Sequence, residues 1–248
     1  MTVREYFPPT AAERAAERER LASTLFLSGV EASDHQLDQL QALLDRTGEA
    51  NAQFNLTAIR DRPGMLVKHV FDSLSLLPHL PPPSAAGPGS TDHDSVPARV
   101  ADIGTGAGFP GLPLAILRPD LEFLLVDSIG KKARHVAATA HALGLGNARV
   151  ENARAEQLRR AGTFAGAFAV VTARALSSLE DFARHAGHLA APGGRLLAMK
   201  GKVPEEELAA LRRGVKDLGG DRWRVTDVQP LVVPGLVDER HLVELCRE

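Results

Sequence analysis

The segment Arg-Val-Ala-Asp-Ile-Gly-Thr-Gly-Ala-Gly-Phe-Pro-Gly, from Arg99 to Gly111, constrains the fold more than any other stretch of the chain. Arg99 to Ile103 has the apolar character of a buried strand, and four glycines then fall within eight residues. So dense a run gives a tight backbone turn with room for something to lie against it. An ordinary packed turn does not need four glycines. The apolar run Leu112, Leu114, Ala115, Ile116 and Leu117 predicts a helix next. Pro110 and Pro113 are tolerated because they lie in or just before its first turn. A strand, a glycine turn and a helix start place free N–H groups and partial positive charge at one point, which suits an anionic or strongly polar ligand.

Two cofactors fit this loop. Gly106-Ala-Gly108-Phe-Pro-Gly111 matches the dinucleotide fingerprint G-x-G-x-x-G, and Asp127 ends the next strand, Leu121 to Val126, where a ribose-binding acid belongs. S-adenosylmethionine sites use a similar loop, G-x-G-x-G, with an acid at the end of the first strand and another at the end of the second. Asp102 favours the second reading. A charge two residues before Gly104 is out of place in a buried, wholly apolar dinucleotide strand. It suits the sulfonium and ammonium of S-adenosylmethionine and would repel a pyrophosphate. The cofactor-binding residues read from the loop and strand ends are therefore Asp102, Gly104, Gly106, Gly108, Phe109 and Asp127. A nicotinamide-dependent oxidoreductase is the alternative.

At 248 residues the chain is long enough for one large domain or one domain with a small attachment. Cys246 is its single cysteine, which rules out an intrachain disulfide and a cysteine-based metal cluster and fits a reducing cytoplasm. The polar start and the lack of an apolar run of about 18 residues argue against secretion and membrane spanning. A net charge of −2 counts against a broad nucleic-acid surface, so any such site must be local. No DNA partner, no membrane partner and no metal site are expected, and the expected state is a monomer.

The chain divides by composition into residues 1–80, read as helical, a Pro/Gly/Ser-rich loop over 81–98, and an alternating strand-helix region over 99–248. Helices are expected over residues 11–27 and from Ser33, the second either extending through Thr47 to Gln53 or ending near Gly48. A third starts at Pro63-Gly64, with Leu66, Val70, Leu74 and Leu77 as its core stripe and Met65, Lys68, His69 and Asp72 on another face. His69 and Asp72, three apart, are neighbours there, most simply a structural pair. In the loop, His93 between Asp92 and Asp94 reads as solvated rather than metal-binding. Beyond it, strands are expected near 99–103, 121–126, 148–151, 167–172 and 194–199. Helices are expected near 111–117, 130–143, 154–160, 177–190 and 203–218. Trp223 to Gln229 and His241 to Cys246 should close the sheet as a pair of strands.

With the loop from Asp102 to Gly111 in view, several further segments resemble one family. These are Asn55 to Asp61, Lys68 to Ser73, Leu125 to Ser128 with Gly130-Lys131-Lys132, Arg154-Ala155-Glu156, Thr172 to Ala175, Met199-Lys200-Gly201 and Glu239 to Leu242. In this order they resemble the glucose-inhibited division protein B family (RsmG), bacterial enzymes that methylate guanine N7 in small-subunit (16S) rRNA. The resemblance runs from about residue 33 onward; the first thirty residues and the proline-rich stretch depart from it. It implies a Rossmann-like class I methyltransferase fold, α/β, with a seven-stranded, mostly parallel sheet under an N-terminal helical cap. It also implies that Gly104 and Phe109 contact S-adenosylmethionine, that Ala155 and Glu156 border its adenine, and that Arg174 stands where cofactor and substrate meet. Arg174, Asn55 and His69 are the catalytic candidates within its motifs.

The chemistry also follows from what is missing. Amine methyltransferases carry an Asp/Asn-Pro-Pro-aromatic clamp after the fourth strand, where this chain reads Val171-Thr172-Ala173-Arg174-Ala175. Methylation at C5 of a pyrimidine needs a cysteine nucleophile, and Cys246 lies far from any strand-end loop. Guanine N7 already presents a lone pair, so in-line alignment on the methyl, worth up to ~7–11 kcal/mol, can suffice without a general base. A bidentate arginine on O6 and N7 would block that lone pair, so Arg174 is left to hold a phosphate, the cofactor carboxylate or O6 alone, or simply to pair with Asp102 or Asp127. Lys131, Lys132, Arg134 and Lys200 are the candidate RNA-binding residues, with His135 beside them; a solvated charged face is the plain alternative. A non-catalytic RNA-binding module in ribosome assembly is a further alternative.

Overall fold

The computed structural model describes residues 6–83, 98–159, 164–174 and 178–248. Most of the proline-rich loop, His93 included, lies outside them. Helix α1 (Ala11–Leu27) opens with a capping box of Thr10 and Glu13, and α2 (Asp34–Phe54) with one of Ser33 and Gln36. α2 runs straight through Gly48; a Cβ there would stand 2.3 Å from the Tyr6 ring, so the glycine serves a close packing contact rather than a helix end. It stops at Asn55, whose left-handed φ of 44° turns the chain out of the helix.

α3 (Arg62–Met65), started by an Asp61 cap, continues without a break through a π-helical segment, Leu66–Phe71, into α4 (Asp72–Leu74). The expected stripe Leu66, Val70, Leu74 and Leu77 is buried, but so are Met65, His69 and Asp72 on the other face, which leaves only Lys68 exposed. Two faces of one short helix are thus covered.

The sheet has eight strands in the order β3-β2-β1-β4-β5-β8-β7-β6. β1 (Arg99–Ile103), β2 (Glu122–Val126), β3 (Ala148–Glu151), β4 (Phe168–Arg174) and β5 (Ala190–Lys200) are parallel. β8 (His241–Arg247) runs antiparallel between β5 and β7 (Arg222–Pro230). α5 (Gly111–Leu117) and α6 (Gly130–Ala142) follow β1 and β2; α7 (Ala155–Leu158) and α8 (Leu179–Ala186) precede β4 and β5. This is the Rossmann-like class I methyltransferase arrangement with one strand more than the seven expected. The extra one is β6 (Val215–Lys216), inside what the sequence predicts as a helix over 203–218. That helix is only α9 (Glu205–Ala210) and a short 3-10 turn, because Gly214 takes a φ of 70° and breaks out of it. Buried Val215 then pairs with buried Trp223.

Successive strand residues face opposite sides of the sheet and feed two cores. Val100, Leu125, Val170, Leu197 and Leu242 join the apolar residues of α1 to α6 in one cluster, while Ala101, Leu124, Val171, Leu196 and Val243 pack under α8 in the other. The N-terminal helices therefore sit directly on one sheet face. Arg62 ties them together through Glu17 at 2.7 Å, Asp45 at 2.5 Å and the Tyr6 hydroxyl at 2.9 Å. No helix among the described residues is long and apolar enough to cross a membrane.

Candidate active site

Strand order reverses between β1 and β4, and ligands of such sheets bind beyond the carboxyl ends of the strands at that point. There a cleft of ≈ 360 Å³ opens, lined by Gly104 after β1, Ser128 after β2, Ala155 and Glu156 after β3, and Phe182 and His185 of α8. Its size suits a small-molecule ligand. The glycine loop is pinned at its entry, since the N–H groups of Gly104 and Thr105 both donate to the Val126 carbonyl, at 2.8 and 3.0 Å.

The four glycines divide by task. Gly104 is exposed at the cleft with a φ of 71°, a conformation that side-chain-bearing residues rarely adopt. Gly106, also left-handed at 62°, donates its N–H to Asp127. Gly108 and Gly111 serve packing: a Cβ on Gly108 would stand 2.3 Å from Leu112 Cδ1, and one on Gly111 2.1 Å from Leu125 Cδ2.

Three expected cofactor residues are placed differently from the expectation. Asp127 is buried, and both its oxygens accept backbone N–H groups, Oδ2 from Gly106 at 2.9 Å and Oδ1 from Ile129 at 2.8 Å, so it builds the loop that borders the cleft. Asp102, 1% exposed, lies beneath the loop with Oδ2 on the Gly111 N–H at 2.9 Å; burial pushes its carboxyl up to about 6. Its charge acts from below rather than from the cleft wall. The Phe109 ring, also buried, turns towards the cap and stacks on His69, centroids 4.7 Å apart. An aromatic side chain finds more apolar contact there than over an open cleft. Gly104, Ala155 and Glu156 remain as expected on the cleft wall.

Arg174, at the end of β4, is where the cap and the sheet edge meet. Its Nη1 donates to the Lys68 carbonyl at 3.0 Å and to Asp72 Oδ2 at 3.2 Å, and its Nη2 lies 3.3 Å from His69 Nδ1. The guanidinium also stands 5.8 Å from the Phe109 centroid. Neither Asp102 nor Asp127, the acids the sequence offers as partners, is bonded to it; Asp72 is. Asp72 is 1% exposed and its other oxygen accepts from Arg240 Nε at 2.8 Å. Sequence reasoning missed Arg240 as part of the site, although Glu239 to Leu242 belongs to the motifs carrying the resemblance.

Arg174 can only donate, so the Nδ1 atom of His69 is the acceptor and its Nε2 carries the proton, which points to Thr57 Oγ1 at 2.9 Å. Burial, and then the Arg174 charge, hold His69 down to about 3. It is a neutral, fully bonded ring near neutral pH. The π-helical segment that contains it brings His69 and Asp72 to one guanidinium.

Asn55 is not brought to this group. It is exposed at the end of α2 and lines a separate hollow with Tyr6, Gly48 and Asn51. Lys131 and Arg134 are exposed on the first turns of α6, with Lys132 half-buried between them, whereas Lys200 is mostly covered and paired with Glu207 at 2.9 Å. Among the described residues no cluster of three or more His, Cys, Asp or Glu could hold a metal ion.

The cleft's residues fit S-adenosylmethionine: a glycine with no side chain stands at its wall, Glu156 offers acceptors, and two buried acids bias its floor towards a cation. The antiparallel β8 separates this sheet from the all-parallel dinucleotide arrangement. Comparison with known proteins agrees. The family GidB, rRNA small subunit methyltransferase G, matches residues 36–242. A protein named ribosomal RNA small subunit methyltransferase G from Xanthomonas campestris pv. campestris (strain B100) is 47% identical over 198 residues, which is 80% of this chain and 81% of that one. One of the same name from Erwinia tasmaniensis is 38% identical over 228 residues, 92% of this chain and 98% of that one. The chain belongs to the rRNA small subunit methyltransferase G family, and S-adenosylmethionine is its cofactor.

Proposed function

We propose that this protein transfers a methyl group to N7 of a guanine in small-subunit (16S) rRNA, acting as a monomer on RNA or on a partly assembled particle in the cytoplasm. The reading is carried by the match to the rRNA small subunit methyltransferase G family, and the state of His69, packed against Arg174, fits it: both its nitrogens are bonded and its pKa is depressed to about 3. It supplies no general base. A nucleophile with a ready lone pair, such as guanine N7, needs none. S-adenosylmethionine, when bound, supplies an electrophilic methyl on a sulfonium.

The protein's residues do the rest by placement. Gly104 leaves the cleft wall open, Ala155 and Glu156 border the adenine end, and the Gly106–Asp127 bond fixes the loop between them. Arg174, held by Lys68, Asp72 and His69, keeps its guanidinium at the rim of the strand ends, where it orients the guanosine through a phosphate or O6. Lys131, Lys132 and Arg134 take phosphates alongside. Labelled methyl transfer to deproteinised small-subunit RNA, followed by borohydride reduction and aniline cleavage, tests the reading. Strand scission at one guanine is expected; label incorporated without scission would place the methyl on another atom.

A further inference from the structure

A second hollow, ≈ 450 Å³, lies between the C-terminal half of α2 and the first turns of α6, walled by Arg46, Glu49, Phe54, Lys131, Arg134 and His135. Its cations differ from those that tie the fold together. Arg14, Arg62, Arg174 and Arg240 are each bound to a carboxylate. Among the described residues, no ion pair involves Arg46, Lys131, Lys132 or Arg134, and Glu49 is not within pairing distance of any of them. In a chain of net charge −2, three cations against the single carboxylate of Glu49 leave this concave place net positive.

The shape is fixed by contacts on both sides. Arg46 donates to Thr139 Oγ1 and to the Ala138 carbonyl of α6, each at 3.3 Å, which sets its guanidinium against the hollow. Phe54 is half-buried, edge-on to His135 at 6.1 Å, with Lys131 Nζ over its face at 5.8 Å. Burial, and then Arg46, hold His135 down to about 4, so the ring is neutral and adds no charge of its own. The helix that walls the hollow starts beside the cofactor cleft. α6 begins two residues after Ser128, a cleft residue, and Ile129 N–H is bonded to Asp127 in the loop.

Unpaired cations around a partly open aromatic face are what single-stranded nucleic acid takes, the backbone on the cations and a base on the ring. We propose that this hollow binds an unpaired segment of the RNA substrate next to the target guanosine, with phosphates on Arg46 and Arg134 and a base stacked on Phe54 in place of Lys131. The proposal rests on RNA being the substrate and adds Arg46 and Phe54 to its binding surface.

Deproteinised, unmethylated small-subunit RNA is the probe, in filter binding over a salt series and in methylation kinetics. Arg134→Ala removes one phosphate contact, so the slope of log affinity against log salt should shrink by about 0.7, which is about fivefold in affinity at 0.1 M salt. Phe54→Leu keeps an apolar side chain against the core; it should weaken binding by about fivefold or more while leaving the slope unchanged. Both variants should raise the KM for RNA, with the affinity for S-adenosylhomocysteine and the melting temperature near wild type. Lys216→Ala, which removes the same charge at exposed β6, should change none of these. If the wild type binds and methylates the RNA while Arg134→Ala and Phe54→Leu match it, the hollow is not the site. If Lys216→Ala weakens binding as much as Arg134→Ala, net charge alone explains the effect and the proposal falls. A wild type that neither binds nor methylates the RNA would overturn the underlying reading instead.

Discussion

Replacing Asp72 with Asn should destabilise the protein by about 3 kcal/mol. The carboxylate is 1% exposed and its two oxygens take one arginine each, Arg240 at 2.8 Å and Arg174 at 3.2 Å. Removing one member of a buried ion pair costs about 3–5 kcal/mol, because the charges left behind are uncompensated. Both guanidiniums are 21% exposed and keep some water, which moves the expectation to the lower end. An asparagine fills the same space, so no cavity contributes. Equilibrium urea unfolding should show a lower midpoint at an unchanged slope. Arg240→Gln alone should cost less, since Arg174 still holds Asp72, and the two substitutions together should cost at least ~1 kcal/mol less than their sum. Methylation should fall with Asp72→Asn even where the protein is fully folded, because Arg174 loses its anchor. An Asp72→Asn protein within about 0.5 kcal/mol of wild type would show that Asp72 does not hold the cap to the sheet edge, since changes that small are typical of surface sites.

Gly104→Val should abolish S-adenosylhomocysteine binding in isothermal titration while circular dichroism stays native, since φ at this position is 71° and the residue lies at the cleft wall; retained binding would take the loop out of the site. Arg174→Ala should lower the methylation rate more than the affinity for S-adenosylhomocysteine, and Arg174→Lys should rescue poorly because the forked side chain reaches Lys68, Asp72 and His69 together; parallel losses would confine Arg174 to the cofactor site. His69 has a folded-state pKa of about 3, below the unfolded 6.5, so the unfolded chain binds the extra proton between those values and stability falls with acidity in that window. Between pH 7 and 5 this should amount to about 2 kcal/mol. Denaturant midpoints for His69→Gln should vary correspondingly less over that range, and an identical pH profile would refute the assignment.

Much of the fold is legible because local rules and tertiary demands agree in it. β1 (Arg99–Ile103), α5 (Gly111–Leu117) and α1 (Ala11–Leu27) lie where periodicity, glycine and caps place them. Helix ends governed by a distant side chain are not legible. Gly48 reads as a possible stop until Tyr6 is seen to press on it, and the residues after Leu211 read as helix although Gly214 and the pairing of Val215 with Trp223 take them into the sheet. The π-helical turn at Leu66–Phe71 leaves no mark in an apolar period that fits an α-helix equally well.

The site divides in the same way. Residues contributed through their backbone, above all Gly104, can be found from sequence because a glycine's conformational freedom is local. The acids cannot be assigned so directly. Asp102 and Asp127 each end a strand as a ligand-binding acid does, yet both accept loop N–H groups that the chain's own turn leaves unsatisfied. A carboxylate that caps its own loop still sets the charge beneath the ligand, so the pattern in sequence and the bond in the structure serve one site by different routes. The partner of Arg174 is harder still to foresee, since Asp72 lies 102 residues away on a helix where its spacing pairs it with His69. What selects it is burial: with Asp72 at 1% exposure the carboxylate must find donors, and Arg174 and Arg240 are the guanidiniums that the ends of β4 and the start of β8 deliver to it. Methylation at a lone pair needs positioning more than proton transfer, and a guanidinium locked by a buried acid, a neutral imidazole and a main-chain carbonyl is a means of positioning.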